Sequence, residues 1–392
     1  MAVNLTNADN ALKTLYLDAI SHQLDTSINP FFASIEKTTN DVWGKEIRKV
    51  CTYGVNGGIG AGTEDGALPK AVGNNYTQFV GTLKNLYGVI EISDKAIRAS
   101  ENNSGAFVSL LNSEMEGLIE ASKFNFGRML FGDGSGCLSK IDYFFEGKFY
   151  VDDIQNFAEG MVVEVRDDSG NILDGIEGYR IKQLDKIEKY VRLEGLEMAD
   201  KQYERQAMFV LQGSYNKEIS GLGKVFDLWG ESLYGVNRED HVWMRPYFEF
   251  NAGDITELAL QKALDGIEEQ SGKSPNLIIC TWGVRRALQQ IFAQNRRMCD
   301  TVELAGGYKA MSYNGIPIVA DKFCPQGTMY ILNTDEFVLH QLCDWQWLAD
   351  DDGRVLKQIP GKPVYTATLV KYAELICNRP SAQGIIAGIN EI

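Results

Sequence analysis

Histidine is scarce in this chain of 392 residues: His22, His241 and His340 are the three, far apart, and none sits in an H-E-x-x-H pair. A zinc-protease centre built on that pattern is excluded, and single packed or exposed imidazoles are the expectation. The seven cysteines (51, 137, 280, 299, 324, 343 and 377) form no C-x-x-C pair and are odd in number. Cys280 and Cys377 end the apolar runs "NLIIC" and "AELIC", which reads as buried thiols in a reducing compartment rather than a disulfide framework. No stretch approaches 18 apolar residues, so no membrane-spanning helix is expected. The opening "MAVNLTNADNALKTLYLDAI" has neither a basic start nor a continuous apolar core, so it is not read as a signal peptide, and synthesis and use in the cytoplasm are expected. Positive charge is also short: 38 Lys and Arg against 53 Asp and Glu leave a net charge of −15. A groove that grips nucleic acid needs clustered cations, so avid DNA or RNA binding is not expected.

Catalytic templates are missing too. "GIEEQSGKS" places five residues between Gly266 and Gly272-Lys273-Ser274 where a phosphate loop needs four, and Pro275 follows where a helix should open. A helix stop is the better reading. "GESLYG" around Ser232 has one residue too many for a nucleophile elbow. In the acidic turns "RDDSGN" and "ADDDGR", aligning a calcium loop's glycine on Gly170 or Gly353 puts Ile176 or Ile359 where the bidentate Glu belongs. Both read as hairpin turns. Arg285, Arg286, Arg296 and Arg297 cluster on one helical segment, as a solvated or carboxylate-paired face. No catalytic residue, cofactor site or metal site is assigned.

Glycine is plentiful: 39 residues, about a tenth of the chain against a usual share of roughly 7%. It concentrates in "YGVNGGIGAGTEDGALPK" (53–70). A dinucleotide fingerprint counted from Gly58 and Gly60 needs glycine at Thr63, and counted from Gly60 and Gly62 it needs glycine at Asp65, so that reading fails. Strand-like runs at 45–53 and 76–93 flank the stretch and predict a long hairpin with a tip of about twenty residues. Upstream, 8–22 carries an amphipathic helical pattern followed by an extended arm. Downstream, 104–131 has a stripe of Phe107, Leu111, Met115, Leu118, Ile119, Phe126, Met129 and Leu130. That predicts a helix of roughly 42 Å stopped by "GDGSG". Short alternating runs from about 150 to 215 read as a β module. A helix over 254–270, opened by Asp254 with Glu257 as capping pair, leads to a strand at 276–280, a second helix, and strands at 315–321 and 329–333. The tail, 362–389, reads as a long strand, a turn at Arg379-Pro380 and a final strand.

The order of these parts resembles the major capsid protein of tailed bacteriophages, the Hong Kong 97-type α+β fold. "GVIEISDKAI", "FGDGSG", "GSYNKEISGL", "YNGIPIVADKFCPQGTMYILN" and "NRPSAQGIIAG" carry the resemblance, which covers nearly the whole chain. It implies an N-terminal arm (1–45), an E-loop hairpin (46–93), a peripheral domain with the spine helix (94–149), a β-rich insert (150–215) and more peripheral domain (216–271). An axial domain (272–360) and terminal strands of the peripheral domain (361–392) complete it. It further implies a non-enzymatic subunit that assembles into hexamers and pentamers of an icosahedral shell around double-stranded DNA. The E-loop tip, with Gly58, Gly60, Gly62, Glu64, Asp65 and Lys70, would contact neighbours. Other expected partners are a separate scaffold, a portal and decoration proteins, since the arm begins too near Met1 for a cleaved scaffold segment. The location would be the virion, after assembly in the host cytoplasm. Some members crosslink a loop lysine to a neighbour's asparagine; Lys70 and Lys84 lie in the corresponding loop, but no matching asparagine is identified. The rival readings are an encapsulin-like nanocompartment shell and a soluble α/β enzyme with a diverged site.

Overall fold

The computed structural model describes residues 30–95, 104–294, 301–303, 309–349 and 355–392. The helix expected at 8–22, His22, Arg296 and Arg297, and most of "ADDDGR" lie outside them.

Apolar periodicity sets the longest element. The spine helix, Ser104–Met129, buries Met115, Ile119, Phe126 and Met129 along one side, while Glu114, Glu116 and Glu120 face water. It ends at Met129, where the Gly132 amide donates to the Met129 carbonyl, and the chain then turns away through Gly134 and Gly136 at φ of +87° and +80°, a left-handed backbone that side chains resist. Beneath it lies a five-stranded sheet centred on Val364–Cys377. That strand pairs antiparallel with Lys84–Ser93 on one edge and with Phe337–Trp347 and Lys357–Gln358 on the other. Glu36–Thr38 closes the far edge, parallel to Phe337–Trp347. Lys84–Ser93 alternates strictly, with Leu86, Ile90 and Ile92 turned inward. Gly88 lies in the same row, where a Cβ would sit 2.9 Å from Leu118 of the spine.

A second, seven-stranded mixed sheet runs in the order Tyr247–Glu249, Gly384–Ile386, Met329–Leu332, Leu277–Cys280, Ile316–Ala320, Lys309–Tyr313, Thr301–Glu303. Helices Glu257–Ser271 and Trp282–Gln294 pack Leu260, Leu264, Ile267, Val284 and Leu288 against its Ile278, Cys280, Met329 and Ile331. One sequence expectation is corrected here. The first helix is capped by Thr256, whose hydroxyl accepts from the Ala259 amide, and starts at Glu257 rather than at Asp254. The last two strands do not pair with each other: after the turn at Pro380–Ala382 the chain leaves the first sheet, and Gly384–Ile386 joins the second. The "GKS" segment is a helix stop, with Gly272 left-handed at φ +67°.

Between the spine helix and these sheets the chain makes a closed six-stranded antiparallel barrel. Around the wall the strands are Tyr190–Leu193, Lys148–Val151, Cys137–Phe145, Lys201–Leu211, Val162–Asp167 and Tyr179–Asp185. The barrel therefore begins at Cys137, ahead of the position near 150 where alternation becomes obvious in the sequence, because a bulge between Ile141 and Tyr143 breaks the period of its first strand. "RDDSGN" is a hairpin turn: the Asp167 carboxylate accepts from the Asn171 amide at 2.7 Å.

Candidate assembly interface

The glycine-rich stretch tips a hairpin, as its flanking strands predict. Glu46–Tyr53 and Asn75–Thr82 pair through eight residues, from Glu46↔Thr82 to Tyr53↔Asn75. Only the root is buried, through Ile47 and Phe79. Aromatic rings anchor that ladder. Trp243 stacks on Tyr53 (5.5 Å between centroids) and on Phe79 (6.0 Å), and His241 meets Tyr53 edge-on. The Val80 amide donates to the Tyr234 carbonyl, and the Tyr234 hydroxyl lies between the Leu375 carbonyl and the Cys377 amide. The hairpin thus leaves the body from a fixed footing.

Beyond Tyr53 and Asn75 the loop has no strand pairing. Its limbs are held by an Asn56–Asn74 side-chain bond at 2.8 Å and by a turn in which the Gly66 amide donates to the Thr63 carbonyl. Glu64 and Asp65 occupy that turn at the extremity, and Lys70 lies on the returning limb, all three exposed. Gly54 is the loop glycine with a left-handed backbone, at φ +67°. Gly58, Gly60 and Gly62 serve a different need: Cβ atoms there would sit 3.0 Å from the Asn56 side chain, 3.1 Å from Pro69 and 3.7 Å from the Ala67 carbonyl. Of the three, Gly60 is the one whose Cβ would be pressed against the opposite limb; Asn56 lies on Gly58's own limb, and 3.7 Å at Gly62 is ordinary contact. Among the described residues nothing covers the loop's most exposed apolar side chains: Leu68 is 90% exposed, Ile59 81% and Val55 78%. Such a concentration on a projecting element is unusual for a surface facing only water.

At the hairpin's foot an open groove of about 550 Å³ lies between Lys84–Gly88, the spine helix and the 211–218 segment that leaves the barrel. Leu86, Leu118, Phe126 and Met129 supply apolar lining, and Lys84 and Lys217 line it as well. Charged groups with no motif to reveal them brace its walls. Arg128 and Glu218, each almost wholly buried, form a two-pronged pair at 2.9 and 2.5 Å. Fully buried Lys371 donates to Gln341 (3.0 Å) and Asp344 (2.5 Å) near the rings of Phe126 and Trp345. Burial works against ionisation of Asp344, but the Lys371 charge and hydrogen bond outweigh it and hold the carboxyl below its usual range. Glu374 accepts from the Ser220 amide at 2.7 Å and the Leu375 amide at 3.1 Å, and burial pushes its pKa up to about 7. Among the described residues no group of three or more His, Cys, Asp or Glu is arranged to hold a metal ion, and no helix is long and apolar enough to cross a membrane.

No family model matches the sequence, and no curated protein matches it. Solved structures do. A chain of the cyanophage A-1(L) capsid asymmetric unit superposes with a TM-score of 0.53 at 10% identity, over 94% of this chain and 93% of that one. The SrpI encapsulin of Synechococcus elongatus PCC 7942 aligns over 93% of this chain and 89% of its own with a TM-score of 0.49 at 12% identity. A chain from Mycobacterium phage Bobi aligns over 93% and 91% with 0.47 at 8%. The superposition on the cyanophage chain takes in nearly the whole of both chains, and the fold is the Hong Kong 97-type capsid fold.

Proposed function

We infer that this chain is a shell-forming structural subunit, the major capsid protein of a tailed phage. It would assemble as hexamers and pentamers of an icosahedral shell that encloses double-stranded DNA. The observation that carries this is the anchored hairpin with an uncovered apolar tip, on a fold superposable along nearly its whole length with a cyanophage capsid chain. Its loop has no hydrophobic partner among the described residues, whereas a neighbouring copy supplies one. A closed container also needs the same surfaces to meet in slightly different settings, which a rigid body with an extended arm and loop accommodates. The net charge of −15 suits a wall that confines DNA without adhering to it.

In this reading the arm is 1–45, the E-loop 46–93, the peripheral domain 94–149, 216–271 and 361–392, and the axial domain 272–360, with 150–215 as a β-rich insert whose barrel also draws in Cys137–Phe145 and Lys148–Val151. The chain has no catalytic role, scaffold and portal are separate chains, and the mature location is the virion. Expression of the chain alone, sedimentation, and negative-stain microscopy of the fast fraction test it. Shells, tubes or rings of five or six are expected, with protease cutting confined to 1–45 and 54–75 in any unassembled material. A slow, homogeneous monomer that resists protease throughout overturns the reading. Particles that copurify with a cargo protein rather than DNA would place the chain among nanocompartment shells instead.

A further inference from the structure

We propose that residues 36–41, between the buried Phe31 and Phe32 and the foot of the hairpin, form an acid-released strap whose catch is His340. An uncharged imidazole holds the strap to the five-stranded sheet, and a proton taken up by that ring lets it go. The inference concerns the chain's own fold and stands apart from what an assembled shell would enclose.

The strap is held lightly. Glu36–Thr38 pairs with Phe337–Trp347 at three register positions, the last of them Thr38 opposite His340. Beyond that short edge ladder Thr39, Asn40 and Asp41 are exposed. Two further bonds tie them down. The Arg48 amide donates to the Asp41 carbonyl at 3.2 Å, and Nδ1 of His340 bonds the Asn40 carbonyl at 3.1 Å. A carbonyl can only accept, so Nδ1 carries the hydrogen and Nε2 of the neutral ring is bare. His340 is wholly buried, and its Nε2 has no hydrogen-bond partner among the described residues. A proton there would make a charged, buried donor with no acceptor. Lifting the strap admits water to the ring and removes that cost.

The charges around the ring do not rescue it. Burial is the main force holding the imidazole below its ordinary 6.5, and Lys49 of the hairpin adds to it, against the Asn40 carbonyl, Asp41 and Glu36. On the neighbouring strand Glu374 stands directly opposite His340 in register. A carboxylate there would act as counter-ion, but burial lifts the Glu374 pKa to about 7. As pH falls, Glu374 is neutralised before the imidazole begins to fill. The closed strap therefore keeps its ring neutral, while the open one titrates at 6.5. Closure is fully favoured above that pH, and each unit below it favours opening by about tenfold.

The loosening is confined by its anchors. Upstream, Phe31 and Phe32 pack on Phe337 and Phe126, and downstream Val42–Trp43 pairs with the hairpin at Ile47 and Glu46. Phe31, Phe32, Val42 and Trp43 have nothing to titrate. Release thus changes the footing of the arm while Trp243 and Tyr234 keep the hairpin in place.

Hydrogen–deuterium exchange of the full chain tests this, read by peptide and corrected for the intrinsic pH dependence of amide exchange. The opening constant of 36–41 should rise about tenfold from pH 7.5 to pH 5.5, as proton binding by the open form alone requires. The strand Leu277–Cys280 should show no such rise. His340→Gln keeps a donor for the Asn40 carbonyl and cannot titrate, so it should abolish the rise, whereas Glu374→Gln should leave it in place. A flat wild-type profile at 36–41, a rise shared by Leu277–Cys280, or a rise that persists in His340→Gln overturns the strap. Should His340→Gln fail to fold, the wild-type profile against its reference strand decides alone.

Discussion

Arg128 and Glu218 stand 90 positions apart in sequence and meet in the interior, joining the spine helix to the segment leaving the barrel. A buried ion whose partner is removed is left without compensation, so Arg128→Ala should cost about 3–5 kcal/mol in chemical denaturation. Replacing both residues by Met should recover much of that loss, because the desolvation of two charges disappears with them. Glu374 makes a prediction of the opposite kind. Its folded pKa of about 7 lies above the ordinary 4.5, so between those values the native state binds more protons than the unfolded chain. Its contribution is complete below about pH 4.5 and is lost as pH rises through 7, a fall of about 3 kcal/mol. Glu374→Gln keeps an acceptor for the Ser220 and Leu375 amides and has nothing to titrate. The stability of wild type relative to this variant should therefore decline from pH 4.5 to pH 8 in denaturation curves; a flat difference sinks the assignment. None of these residues was legible beforehand. A buried Arg or Glu has no local pattern, and its partner is chosen by the fold.

At the scale of elements, the joints are more demanding than the rods. The spine helix was readable from its stripe of Met115, Ile119, Phe126 and Met129, and its stop from glycine. What it abuts was not. Gly221 lies against the helix end, where a Cβ would sit 2.4 Å from the carbonyl oxygens of both Met129 and Leu130. The following amides of Leu222 and Gly223 bond to the carbonyls of Leu130 and Phe131. The clash is with backbone, which has no rotamer to escape into. Gly221→Ala should lower stability by about 2–3 kcal/mol, measurable as a shift of the urea midpoint, whereas Gly213→Ala, with open space around it, should suffer only from its left-handed backbone. The capping residue of the helix at Glu257–Ser271 shows a similar limit. Asp254 and Thr256 are both good caps in composition, and the approach of the chain decides that Thr256 takes the role.

For the molecule as a whole, the barrel is the part with its own interior. Its core runs from Leu138 to Phe209 and takes no buried residue from the two sheets. Its first and last strands pair, Cys137 opposite Val210, so its ends leave from one place. A fragment covering 136–212 should fold alone and melt in a single cooperative transition by circular dichroism. An unfolded fragment would show that the barrel depends on Lys189, Gln155 and their contacts with Gln326 and Phe323 on the body. The remaining chain should close over the gap, because Ser135 already bonds to Asn216 across it.

Local periodicity and glycine placement determined the hairpin, the long helix, the α/β unit and the presence of a β module, because those depend on which neighbours along the chain are apolar and which positions can turn. The order of these parts was enough to point to the capsid fold. Three matters were decided only in three dimensions. The barrel closes on itself from Cys137, the final two strands go to different sheets, and a groove opens beside the spine helix near Lys84 and Lys217. Each depends on pairing between residues tens to hundreds of positions apart, where hydrogen-bond registers and buried charges are set by the packed interior rather than by adjacent sequence.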